Sequence, residues 1–373
     1  MNRRRMAAQP MLLTLGGALV ALAFSLLISS GVLLLSHAHP LEVFREVVKY
    51  GSKPDQLVNM INKSTGYYLS AIAVAIGFRM GLFNIGVDGQ YRLAAMLAAA
   101  FGAATHLPAA IHVPVVILVA MAVGAVWAGL AAILKVTRGV SEVISTIMLN
   151  AIAGSIVAYL LNPKRLAVSA EGSSNIGTRP LPGSARVRGF NLISGSDNKV
   201  FGLILLAVAV GFGYSVLLNR TRFGFDLRAT GLSPSAAVAS GVDVRRMVVT
   251  TMVLSGAVAG LVGMPQLLGA SYTYSLDFPA GIGFTGIAIA LLGRNHPIGI
   301  AFGALLWAFL EESSQILDLL SVSPEIVRII QGTVVLTVVV VYELVRRFSF
   351  AQTQRAVGEQ LAAEEPMAAG ATA

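Results

Sequence analysis

Along this chain, long uncharged runs alternate with short polar or basic stretches, and the runs have the length of membrane-spanning helices. Arg3, Arg4 and Arg5 precede an uncharged run from Ala7 to Ser36, which predicts a first span over 11–35. A secretory signal has an apolar core of roughly 7–15 residues, so this longer run reads as a retained span. Residues 37–63 are amphipathic, with a helix expected over 41–50, and are placed outside. A second span begins near Ser64 and runs to about Phe83. Further spans are predicted at roughly 91–106, 111–134, 141–162, 200–218, 248–270, 281–293, 297–316 and 325–345. The result is an all-α polytopic membrane protein of about ten transmembrane helices. Both termini lie in the cytoplasm, because the short inside loops carry Lys135 with Arg138, Arg294, and Arg346 with Arg347. The transmembrane domain is therefore 1–345. The Ala/Glu-rich tail within 346–373 is expected to be disordered and cytoplasmic, and the Gly-, Ser-, Pro- and Arg-rich stretch 163–199 is an external loop.

Two places break this rhythm. Gly81-Leu82-Phe83-Asn84-Ile85-Gly86-Val87-Asp88-Gly89-Gln90 interrupts otherwise apolar sequence from 67 to 105. Irregular backbone at membrane depth is tolerated only where protein or a water-filled cavity surrounds it, so 81–90 reads as a break facing the interior. Gly281–Gly293 is a second glycine-punctuated, shortened span in the other half. Paired irregular segments of this kind point to a transport pathway.

The most charged segment between two apolar runs is the loop 219–247, basic at both ends through Arg220, Arg222, Arg228, Arg245 and Arg246. Gly231-Leu232-Ser233-Pro234 opens a short helix in it: Ser233 is placed to cap, Pro234 suits the first helical position, and Gly241 can close the helix in a left-handed turn. Ala236, Ala237, Val238 and Ala239 form its compact body of about two turns, too short to stand alone in water. It reads either as a solvated loop or as a helix that docks in a groove of a soluble partner.

Composition agrees with the span pattern and removes several classes of function. The chain has 373 residues, 55% of them hydrophobic and 12% charged, with a mean hydropathy of +0.76, which excludes an ordinary soluble domain. With no cysteine there is no disulfide, thiolate metal site or cysteine nucleophile. The five histidines lack metal-ligand spacing and read as interfacial polar residues, so no metal site is assigned. No phosphate-binding loop occurs. The net charge of +9 belongs to span flanks facing membrane lipid, not to a nucleic-acid surface.

Asp88 is the sharpest intramembrane residue: a buried acid is expensive and is either functional or a helix cap offset by Arg79 or Arg92. Asn84 and Gln90 either hydrogen-bond a polar solute or bond only to neighbouring helices. Glu142, at the start of SEVISTIMLN with Asn150, suits the first turn of a span. Phe83, Phe284 and Tyr274 either stack on a base or sugar or simply pack.

GLFNIGVDGQ, SEVISTIMLN, RFGFDLRATGLSPSAAVASGV and GIAIALLGRNHPIG, in that order over residues 60–345, resemble the permease subunits of bacterial ABC importers for simple sugars, branched-chain amino acids and, most closely, nucleosides. The resemblance implies a coupling helix that docks on an ABC ATPase subunit through Gly231, Ser233, Pro234, Ala236, Ala237 and Gly241. It also implies a substrate path lined by Phe83, Asn84, Gly86, Asp88 and Gln90, to which Phe284 is added. It further implies a second permease subunit, a periplasmic or lipid-anchored solute-binding protein, and location in the bacterial inner membrane. No cofactor is expected on this chain, ATP and magnesium belonging to the partner. The family form has Glu where this chain has Asp88. A ribose-type sugar or a branched-chain amino acid is the alternative cargo, and the rival classes are an ion-coupled secondary transporter and a membrane-embedded enzyme.

Overall fold

The computed structural model describes residues 20, 23–169, 175–320, 322–323 and 325–370. Residues 11–19, 21 and 22 of the predicted first span lie outside the described residues, and helix α1 (Ala23–Leu35) is its described helical part. Contacts divide the chain into Val47–Ser313 and a smaller unit, Met1–Glu46 with Ser314–Ala373. The smaller unit contains α1 and the last helix, α14 (Glu325–Gly370). That helix continues past Arg346 and Arg347, where the sequence reading had a disordered tail. Ala, Gln and Glu dominate residues 351–365, and their high helix propensity suits the continuation.

The larger unit follows the predicted run order. After α2 (Pro40–Gly51) come α3 (Pro54–Phe78), α4 (Val87–Ala104), α5 (Ala109–Arg138), α6 (Glu142–Leu160) and α7 (Ile204–Arg220). Then follow α8 (Arg222–Leu232), α9 (Pro234–Ala239), α10 (Val244–Gly260), the single turn α11 (Met264–Gln266), α12 (Ile282–Leu292) and α13 (Pro297–Ser313). Among the described residues four helices are long and apolar enough to cross a membrane, or up to six if two bent pairs each count as one span. The helices α3, α4 and α12 fall outside that count because they are polar at one end or short.

Helix α3 is the centre of the unit, with every residue from Leu69 to Gly77 buried. Its Pro54 end is polar for a reason the sequence alone did not show. Asp55, Asn59 and Asn62, spaced along one face, bind residues 196–201: the Ser196 hydroxyl donates to Asp55 at 2.7 Å, the Asn198 amide to Asn59 at 3.2 Å, and the Phe201 N–H to Asn62 at 2.8 Å. The Ser196 bond, followed by the Asp197 N–H, holds the Asp55 carboxyl below its ordinary pKa.

The described residues of 161–169 and 175–203 fold over the segment that precedes α12. A short antiparallel hairpin, β1 (Ala167–Ser169) and β2 (Ile176–Thr178), hydrogen-bonds to it from Thr178 N–H to the Tyr274 carbonyl. Leu181 and Val187 continue the pairing to Tyr272 and Leu268. His112, read from sequence as an interfacial residue, is buried here. Its Nδ1 lies 2.8 Å from the Ser184 hydroxyl and its Nε2 3.1 Å from the Gly102 carbonyl, so it staples this loop to α4 and α5.

The closest helix crossing is α5 on α10. Ala120, Gly124 and Ala128 face Gly256 and Gly260, and a Cβ on any of the three glycines would overlap backbone of the other helix. Small residues four apart let helix backbones touch, which is how helices associate where lipid gives no hydrophobic drive. Gly256→Leu should lower thermal stability in detergent by about 1–3 kcal/mol or more. Gly154→Ala, whose Cβ meets nothing within 4 Å, should change it little.

Candidate functional site

The break between α3 and α4 starts with a left-handed glycine. Gly81 has φ 74°, and the Leu82 N–H bonds the Gly77 carbonyl (3.0 Å) while the Gly81 N–H bonds that of Phe78 (3.1 Å). These two bonds make a Schellman ending and satisfy carbonyls that lipid would leave bare.

Beyond it, Asn84 and Gln90 pair amide to amide at 3.0 and 2.9 Å. The Asn84 amide also donates to the Ser255 hydroxyl of α10 (2.9 Å), which itself donates to the Ala73 carbonyl of α3 (2.6 Å). The Gly86 N–H returns to Asn84. From α6, Asn150 accepts from the Gly89 N–H (2.8 Å) and donates to the Ile85 carbonyl (2.9 Å). Gly89 has no room for a Cβ because α6 sits against it at Asn150 and Ala153, and a Cβ on Gly86 would meet the Gln90 and Asn84 amides and Thr146 of α6. Glu142, also on α6, accepts from the Phe83 N–H (3.4 Å) and pairs with Lys135 at 2.5 Å. Asn84 and Gln90 are thus buried and bonded to neighbouring helices.

Asp88 joins this break to the second one. Its Oδ1 accepts from the Gly281 N–H (2.8 Å) and the Gly283 N–H (3.3 Å), at the start of α12, while Arg92 lies 3.9 Å from Oδ2. Asp88 is also in the first turn of α4, so one carboxylate serves the N-termini of both helices. Gly281 adopts φ 84°, and Gly283 and Gly286 let α12 lie directly on Asp88 and on Ser70. The Ser70 hydroxyl donates to the Ile282 carbonyl (2.9 Å) and the Tyr91 hydroxyl to that of Pro279 (2.7 Å). The two glycine-punctuated segments of the sequence meet in space. Phe83 and Phe284 remain 48% and 52% exposed. Tyr274, by contrast, is buried and stacked on Phe278 at 4.6 Å, so it is not free to stack on a solute.

The segment 219–247 holds one more helix than its sequence suggested. The chain bends by 73° after α7, and Thr221 caps α8 by accepting from the Gly224 N–H (3.1 Å). Ser233 caps α9 through the Ala236 N–H (3.3 Å), Pro234 takes the first position, and Gly241 is left-handed at φ 83°. The bonds Val242 N–H to Ala237 carbonyl and Gly241 N–H to Val238 carbonyl close a second Schellman ending. Of the residues assigned to the docking face, Gly231 is exposed but lies outside α9, and only Ala237 is buried. Gly231 belongs to α8, where a Cβ would sit 2.5 Å from the Arg79 carbonyl oxygen. Ala237 is 2% exposed and faces the body of the protein. Ser233 is half-buried, Pro234, Ala236 and Gly241 are exposed, and the open apolar side chains are Leu232 (89% exposed) and Val238 (60%).

The sequence reading passed over a charged group on α3 and α13. Lys63 pairs with Glu312 (2.6 Å) and Glu311 (3.3 Å), and the Tyr67 hydroxyl bonds Glu311. Glu312 is buried, so the lysine offsets its desolvation. The signal available was adjacent acids ending an apolar run, with Lys63 and Tyr67 one helical turn apart.

Asp88→Ala leaves the Gly281 and Gly283 N–H groups without an acceptor and should cost about 1–3 kcal/mol of stability. Asp88→Asn keeps an acceptor and should cost less. Equal losses in the two variants, measured by thermal unfolding, would show that hydrogen bonding to α12 is not what matters at this position.

Comparison with known proteins bears on the whole of this arrangement. Residues 56–340 match the model of the branched-chain amino acid transport system / permease component family. The guanosine ABC transporter permease protein NupP of Bacillus subtilis is 33% identical over 88% of this chain and 90% of its own length. The nucleoside ABC transporter permease protein NupB of Lactococcus lactis is 29% identical over 86% and 90%. The glucose ABC transporter permease protein TsgB13 of Haloferax volcanii is 30% identical over 75% of each chain. The match extends across both interrupted segments and the helices α8 and α9, and the chain belongs to this family of ABC transporter permease components.

Proposed function

We propose that this chain is the transmembrane subunit of an ATP-driven importer of nucleosides in a bacterial inner membrane. The observation that carries the substrate class is the likeness, over nearly the full chain, to permeases named for guanosine and nucleosides. The likeness to a glucose permease makes a simple sugar the second reading.

The path runs past the paired breaks at the interface with a second permease subunit. Helix α12 has 11 residues, about 16 Å of rise, roughly half of an apolar core about 30 Å thick. The contact of Asp88 with its first turn therefore lies near mid-membrane. Asn84, Gly86, Asp88 and Gln90 hold the breaks in shape, and Phe83 and Phe284 offer the faces on which a base or sugar ring can lie. A neutral solute suits this surface. A proton-coupled carrier titrates an intramembrane acid, whereas Asp88 is engaged with α12 and Glu312 with Lys63.

The remaining short or polar helices complete about ten spans, with both termini in the cytoplasm. Solute arrives from a binding protein outside. On the inside α9 docks in a groove of a separate ATPase, which binds ATP and magnesium. Its exposed residues Pro234, Ala236 and Val238, with Leu232 before it, form the docking face. ATP favours one permease state only if these contacts differ between states, and alternating access follows from that difference.

The first test is ATP-dependent uptake of labelled guanosine or adenosine into vesicles carrying this chain with the products of its genomic neighbours. Ribose and leucine serve as controls. Uptake of ribose or leucine in place of a nucleoside would move the substrate class, and uptake driven by a proton gradient without ATP would remove the importer reading. In the same assay Val238→Arg should reduce uptake about tenfold or more, through loss of a desolvated apolar contact, while the protein stays folded.

A further inference from the structure

Arg79 sits at the end of α3, where the sequence makes it the costliest residue of an apolar run. Its guanidinium donates to the carbonyl of Asn295 at 2.9 Å, and the Tyr214 hydroxyl of α7 donates to the same oxygen at 2.8 Å. Asn295 lies in the tight turn between α12 and α13, where Arg294 and Asn295 both have left-handed backbone, φ 55° and 53°. Two non-glycine residues in that region make a strained turn that its surroundings must hold. Gly293 allows no Cβ because residues 299–300 of α13 pack on it, so the turn has little freedom of its own.

On its other side Arg79 meets α8. Gly231 lies so close that a Cβ would be 2.5 Å from the Arg79 carbonyl and 2.9 Å from the Met80 Cα. Met80 is in turn held by the Thr251 hydroxyl of α10 (3.2 Å to sulfur). Only two residues separate Gly231 from the start of α9, with Ser233 capping between them. The chain of contact is therefore short and made mostly of backbone: α9, Gly231, Arg79, Asn295, and from there α12, whose first residues hold Asp88. The Gly231–Arg79 step is backbone on backbone and cannot absorb a shift by changing rotamer, and the Arg79–Asn295 step is a side-chain hydrogen bond held beside that of Tyr214.

We infer that Arg79 is the positioning residue through which movement of α8 and α9 reaches both interrupted spans at once. It ties the end of α3 to the end of α12, so the two breaks change together. This inference rests on the proposed importer reading and adds the route by which the ATPase would act on the path.

The test uses the reconstituted importer, with solute moved and ATP hydrolysed measured in the same vesicles. Arg79→Ala should leave the complex assembled and hydrolysing ATP but lower solute moved per ATP about 5–150-fold, the range of ordinary coupling free energies. Arg79→Lys keeps one donor within reach of the Asn295 carbonyl and should recover part of the ratio. Gly231→Ala, which forces α8 away from Arg79, should lower the ratio as well. Because the chain has no cysteine, Leu276→Cys, an exposed position on the stretch that leads into α12, can carry a single spin label attached before assembly. The label's ATP-induced change of mobility should vanish in the Arg79→Ala background.

An assembled Arg79→Ala complex with the wild-type ratio and an intact spectral response would overturn the inference. Should Arg79→Ala fail to assemble, a Gly231→Ala complex with the wild-type ratio would do the same. Absence of ATP-dependent uptake in the wild-type complex would overturn the importer reading and this inference together, whereas normal wild-type uptake with unchanged variants overturns this inference alone.

Discussion

Two helices that begin inside the protein, α4 and α12, bring their N-terminal ends to the same place. Each such end exposes unpaired N–H groups and carries a partial positive charge. Side by side in a medium of low dielectric they would repel, and their donors would be bare. Asp88 resolves both problems with one side chain, in the first turn of α4 and bonded to the first N–H groups of α12. The arrangement also explains the glycines, since only residues without a Cβ let α12 descend onto α4 at Gly283 and onto Ser70 of α3 at Gly286. A buried acid is costly alone; here it is the counter-charge that lets two helices begin inside the protein.

The same accounting of backbone groups governs the rest of the interior. Irregular chain between Arg79 and Gly86 persists because Asn84, Gln90, Ser255, Asn150 and Glu142 supply the partners that helix geometry would have supplied. Apart from Asn84, which belongs to the break itself, these side chains come from α4, α6 and α10, so the break is a product of tertiary structure as much as of its own sequence. That is also why the polar residues face inward: each is committed to backbone or to another amide, and the surface left open is aromatic.

Much of this was legible in the residues. Ser233, Pro234 and Gly241 follow local capping rules that hold wherever a short helix starts and stops, and the glycine-rich interruption at 81–90 needed only the rule against bare backbone in lipid. The pairing of 81–90 with 281–293 showed as a repeated irregularity. What escaped depends on neighbours distant in sequence. Gly231 looks like a helix opener until Arg79 is found against it. Ala237 and Val238 are adjacent small apolar residues, and which of them faces out is set by packing. Helix α8 mixes arginine, glycine and phenylalanine without an apolar period, so its Thr221 cap was the only local sign. The cluster of Lys63, Glu311 and Glu312 joins residues nearly 250 positions apart, and His112 became a core residue only once Ser184 folded over it.

The β1–β2 hairpin and the residues after it are knitted by main-chain hydrogen bonds to Leu268, Tyr272 and Tyr274, on the stretch that leads into α12. Ladder bonds of this kind do not stretch; they hold or break. The loop is therefore less a cover than an extension of the buried stretch, carried out to the surface. Whatever grips or braces those surface residues also stiffens the approach to α12, so the rigidity of that buried stretch is set in part by chain well removed from it in sequence.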